Sequence, residues 1–147
     1  MKRAYAKLWI LRRLKQMGVK TDILELIYFP YMRSILEFGV PVWNGAISQK
    51  EVNKIERVQR IAIHIIYGKK YSHAESCKNF KIEKLTVRRE KLCKNFAKKA
   101  LKHDKFKDWF VKQDSEFNQK TKYLQTIARR KRLEKAPIPY LTRLLNK

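Results

Sequence analysis

Residues 23–43, ILELIYFPYMRSILEFGVPVW, form the least polar stretch of a chain otherwise crowded with lysine and arginine, and any fold must first place it. At about 100° per residue, Ile23, Leu24, Ile27, Tyr28, Phe29, Tyr31, Met32, Ile35, Leu36 and Phe38 cover nearly the whole circumference of a helix, so such a helix is expected to be buried on most sides. Arg33 and Glu37, spaced i, i+4, break the coat; they are placed to pair with each other or with a neighbouring element. Pro30 removes a backbone donor and meets the carbonyl of Leu26, which predicts a kink or break. Gly39 and Pro41 end the element, and Val42 and Trp43 are expected to return as a short extended segment.

The other helices arrange themselves around this wall. Residues 4–17 put Leu8, Ile10, Leu11, Leu14 and Met17 on one broad face, with Arg12 and Arg13 off it and Gly18 as the stop. Asp22 and Glu25 suit the first turn of the next helix. Ser48 and Glu51 make a capping box that opens a helix to Tyr67. Its apolar side holds Val52, Ile55, Val58, Ala62, Ile65 and Ile66, and Lys50, Lys54, Arg57, Arg60 and His64 share an opposite arc of roughly 120°. Ser72 and Glu75 form a second capping box, starting a short helix with Cys77 and Phe80.

Residues 84–102 repeat the separation. Leu85, Leu92, Phe96, Ala97 and Ala100 make the core side, against Lys84, Arg88, Lys91, Lys94, Lys98, Lys99 and Lys102 outside. Arg89 falls by phase among the core residues, where a guanidinium needs a carboxylate or carbonyl; Glu37 is the expected partner, and snorkelling past the helix edge is the alternative. Beyond His103, Phe106, Trp109 and Phe110 are placed to cap the bundle. Residues 113–121 read as a linker, and Arg129, Arg130, Lys131 and Arg132 as a basic block. Pro137 and Pro139 predict an extended segment, and Tyr140, Leu141, Leu144 and Leu145 then dock the end of the chain. The expected fold is all-α, a helical bundle of about four to five helices over residues 1–112 followed by a basic, partly extended C-terminal tail over 113–147.

The charge points to a partner. With 36 Lys and Arg against 13 Asp and Glu, a net charge of +23 strains the compact state, and a polyanion relieves it. Nucleic acid is favoured, through Lys50, Lys54, Arg57, Arg60, Arg88, Lys91, Lys94, Lys98 and Arg129 to Arg132. A membrane surface is disfavoured, for want of an apolar face to insert. No run reaches the roughly 18 apolar residues of a span, and Arg12 and Arg13 interrupt the early apolar run too soon for a secretory signal. The first acidic residue is Asp22, a pattern shared with mitochondrial transit peptides, although the same stretch reads as an ordinary first helix. A nuclear or cytoplasmic chain with two reduced thiols, Cys77 and Cys93, is expected.

Catalytic motifs are missing: no Asp-Asp pair, no phosphate-cradling glycine loop among only four glycines, no H-E-x-x-H and no C-x-x-C. Asp104 and Asp108 read as locally neutralised by their lysine neighbours, and His64, His73 and His103 lack ligand spacing, so no metal, cofactor or small-molecule substrate is expected.

The succession LWILRRLKQMGV, IYFPYMRSILEFGVPVWNGAIS, IERVQRIAIHIIYGKKYS and LTVRREKLCKNFAKKA, with the ending APIPYLTRLLN, resembles the region after the palm in non-LTR, jockey-like (LINE-type) retrotransposon reverse transcriptases, over essentially the whole chain. The resemblance implies a helical thumb and post-thumb region that grips an RNA–DNA hybrid or duplex beside an upstream palm, where the family's catalytic aspartates lie. It carries over to Glu37, Trp43, Glu56, Gln59, Arg60, Arg88 and Arg89, with Glu37, Trp43 and Arg89 as architecture. Pro30 departs from the family pattern. Two other classes stay open: a cationic helical protein that docks a protein partner through residues such as Trp109 and Phe110, and a non-specific DNA-binding protein, for which no helix-turn-helix pattern is present.

Overall fold

A computed structural model describes residues 2–68, 75, 82–113, 122–125 and 130–147. The described chain is helical: α1 Lys2–Gln16, α2 Thr21–Ile27, a π-helical turn Tyr28–Arg33, α3 Ser34–Glu37, α4 Val40–Trp43, α5 Gln49–Tyr67, α6 Leu85–Leu101, α7 Lys131–Glu134 and α8 Pro137–Leu145. No strand occurs among the described residues, and the only ladder contact there is an isolated antiparallel bridge between Lys112 and Tyr123. The all-α expectation is met. The capping box at Ser72, Cys77, Phe80, most of the expected linker and Arg129 lie outside the described residues.

Two compact units interleave along the sequence: Met1–Phe38 with Ser48–Val87, and Gly39–Ile47 with Arg88–Lys147. In the first unit, α1 packs on α5 and on the π turn. Its core joins Ala4, Leu8 and Leu11 of α1 to Leu24, Tyr28, Met32 and Leu36, and to Ile55, Val58, Ala62, Ile63 and Ile66 of α5.

The apolar stretch departs from expectation in three ways. Pro30 does not break it: the helical run continues through a π turn, Tyr28–Arg33, into Ser34–Glu37. A π turn is wider and reaches five residues back, which opens room where the proline ring would strike the carbonyl of Leu26. Burial is also one-sided. Leu24, Tyr28, Met32 and Leu36 are buried, whereas Ile23, Leu26, Phe29, Tyr31 and Phe38 are exposed, Phe38 at 83%. Steps of four residues drift about 40° each on an α-helix; the π turn takes more residues per turn and reverses part of that drift, so one straight stripe is enough to seat the element. Last, Val42 and Trp43 are not extended. Gly39 takes φ +64°, a left-handed conformation that suits glycine, and Val40–Trp43 restarts as a helical turn with Pro41 in its first turn, where the missing donor costs nothing.

In the second unit Val40, Cys93, Ala97, Ala100, Phe110, Tyr123, Leu141 and Leu144 form one core, flanked by Trp43, Leu92, Phe106 and Tyr140. The segment read as an extended tail is a helix. Pro137 sits at its first position and Pro139 two residues on, both among the residues whose backbone donors have no partner in any helix, so neither costs a hydrogen bond. Asn146 clamps the end: it takes the Tyr123 N–H at 3.0 Å and donates to the Tyr123 carbonyl at 2.9 Å.

Candidate nucleic-acid interface

The phase of the α5 stripe is set at its N-terminus. Ser48 accepts the Glu51 N–H, and the Glu51 carboxylate takes the Ser48 N–H at 2.8 Å, so the expected capping box is complete. These bonds from the Ser48 backbone and hydroxyl hold the Glu51 carboxyl below its ordinary value of 4.5 and keep it ionised. At the other end, Lys15 donates to the Ile66 carbonyl at 3.0 Å, placing a cation on the negative pole of α5.

With α5 fixed this way, Lys50, Lys54, Arg57 and Arg60 are all exposed, and His64 is half-buried at the end of the row. None of the four cations lies within 4.0 Å of a carboxylate among the described residues. From Lys50 to Arg60 the row rises about 15 Å, the length of several phosphate repeats on one strand at 3.4 Å each. The opposite face buries Ile55, Val58, Gln59, Ala62, Ile63 and Ile66. Val52 and Ile65, expected inside, are only half-buried.

The second stripe is less uniform. Lys91 and Lys98 are exposed, but Arg88 and Lys94 are half-buried, and Arg88 and Lys91 engage in interactions of their own. The buried line of α6 is Leu85, Arg89, Cys93, Ala97 and Ala100, while Phe96, expected inside, is 38% exposed. Burial pushes the Cys93 thiol up to about 11.

Arg89 is 1% exposed, as its phase predicted, so the snorkelling alternative is set aside. Its guanidinium lies 5.7 Å from the Trp43 ring centroid, a cation–π contact within the second unit. Glu37 belongs to the first unit, where it takes Arg33 Nε at 2.8 Å with both side chains nearly buried. Its pairing with Arg89 stays an expectation.

Two residues of the I-E-x-x-Q-R piece do work that the sequence reading did not assign. Glu56 Oε1 takes the Thr86 N–H at 2.7 Å and the Thr86 hydroxyl at 2.6 Å, a carboxylate cap for the first turn of α6 supplied by another helix. Gln59, fully buried, donates to the Glu83 carbonyl at 3.1 Å just before the same helix. The signal was available: by phase Gln59 falls inside the apolar arc of α5, as Arg89 does on α6.

In the basic block, Arg130, Lys131 and Arg132 are exposed around the single turn of α7. Arg130, Arg132 and Lys135 line a groove with Ala46, Leu133 and Pro137, in the second unit. Lys107 lies 3.5 Å from Asp104 on the surface, the local neutralisation expected there. Among the described residues no three metal-binding side chains gather, and no helix is long and apolar enough to cross a membrane.

No family model matches the chain, and neither a curated protein nor a solved structure does.

Proposed function

We propose that this chain is a nucleic-acid-binding helical region of the kind that follows the palm in non-LTR retrotransposon reverse transcriptases. In this reading it grips an RNA–DNA hybrid or another duplex by its phosphates and leaves catalysis to a palm elsewhere. The observation that carries the reading is the α5 row: four exposed cations, with no carboxylate within ion-pair distance among the described residues, on one side of a helix whose other side is core. Charge of one sign, fixed on a rigid element, suits a backbone read by shape and charge and offers little to bases. Action in the nucleus or cytoplasm goes with this reading.

Four neutralised phosphates give a salt slope of about −3.6, so affinity for a hybrid duplex falls about a hundredfold between ~50 and ~200 mM salt from this row alone. Replacing Lys54, Arg57 and Arg60 together by glutamine lowers the slope by about 3 and leaves the circular dichroism melt unchanged. Duplex affinity indifferent to salt, or equal for parent and variant, would refute the reading. Phe110 is buried in the core of the second unit and leaves only Trp109, 39% exposed, for the rival reading; a protein partner docked there would keep its affinity in high salt.

A further inference from the structure

Helix α1 has an outward face that the phosphate grip does not use. Tyr5 is 42% and Trp9 65% exposed, and Arg12, Arg13 and Gln16 beside them are exposed too. All five fall within an arc of roughly 100° on the helix, separate from the arc of the buried Ala4, Leu8 and Leu11 and centred about 120° from it. Neither aromatic ring has a ring or cation partner among the described residues; by contrast Lys7, on the other side of the helix, is held over the Tyr31 ring. No acidic residue precedes Asp22.

We infer that α1 is a stacking rail for unpaired nucleic acid, with Tyr5 and Trp9 taking two neighbouring bases on their ring faces and Arg12 and Arg13 holding the strand's phosphates. The inference deepens the nucleic-acid reading by adding a single-strand partner at a second place. Three features select this occupant. Side chains at i and i+4 sit about 6 Å apart along the axis, wider than the 3.4 Å repeat of a stacked strand and so suited to bases drawn apart and splayed onto separate rings. Aromatic platforms beside cations are the general means of holding single strands without reading their sequence. An exposed face with two aromatics, two arginines and no aliphatic side chain offers a membrane too little apolar area and offers a strand both of its needs.

The test compares labelled oligothymidylate with a hybrid duplex, by fluorescence anisotropy on the whole chain. Trp9→Ala is expected to weaken the single strand at least about fivefold and leave the duplex unchanged; Trp9→Phe, which keeps a ring, retains most of the affinity. Equal loss on both ligands, or loss on neither, overturns the inference. So does binding to phosphatidylserine vesicles that depends on Trp9 while oligothymidylate binding does not. If the duplex binds with the expected salt slope and Trp9→Ala is silent, only this inference falls; if no nucleic acid binds, the proposed function falls with it. Unchanged melts of both variants show that a loss on oligothymidylate is not unfolding.

Discussion

Glu56 and Gln59 sit one turn apart on α5 and both hold the start of α6, but by different physics. Glu56 places a carboxylate at the positive end of a helix, where two donors of Thr86 converge on one oxygen. Gln59 satisfies a carbonyl with a side chain that has lost all its water. Glu56→Ala is therefore expected to destabilise the chain by about 1 kcal/mol in urea melts, the usual cost of a lost cap, and the loss should shrink when Thr86 is already alanine. An additive double mutant would show that the two residues do not act together. Arg89 shows the same principle from the other side: a long cation becomes interior one turn from the small Cys93, where Trp43 offers a ring.

At the scale of elements, turns decide more than propensities. Gly45 lies between α4 and α5, and a Cβ there would come within 2.7 Å of Tyr140 Cγ and 2.9 Å of the Lys135 carbonyl. Its backbone needs no special conformation; it is glycine because α8 sits against it, and the Asn44 amide donating to the Tyr140 hydroxyl at 2.7 Å fixes that contact. Gly45→Ala should cost about 2 kcal/mol, since the clash involves a backbone atom and the root of a ring rather than a flexible tip. A melt unchanged from the parent would mean that α8 is seated elsewhere. The π turn makes the same point for the apolar stretch, since one widened turn converts an all-round apolar pattern into a single buried stripe with aromatic residues left outside.

For the molecule as a whole, charge is the dominant constraint. A net charge of +23 on 147 residues means that folding gathers like charges. Added salt shortens the reach of that repulsion, from about 10 Å at 0.1 M to about 3 Å at 1 M. The thermal midpoint should therefore rise with sodium chloride between these limits, followed by circular dichroism, whereas binding to the duplex weakens over the same range. A midpoint that falls or stays flat would show that the surface charges are already compensated in the folded chain. Opposite salt responses of folding and binding are the signature of cations kept for a partner.

The sequence by itself determined what depends on local chemistry and periodicity. The Ser48–Glu51 box, the α5 row of Lys50, Lys54, Arg57 and Arg60, and the inward phase of Arg89 were legible because a helix repeats every 3.6 residues and a cap is a short-range bond. Tertiary structure decided what depends on residues distant in the chain: the π turn at Pro30, the helix rather than extended segment at Pro137, the exposure of Phe96, and the use of Glu56 and Gln59 to hold another helix. Proline forbids a donor and a steric arrangement but does not name the alternative, and a phase angle says where a side chain points but not what meets it. Packing supplies both answers, because it alone determines which backbone groups lose water and must find partners.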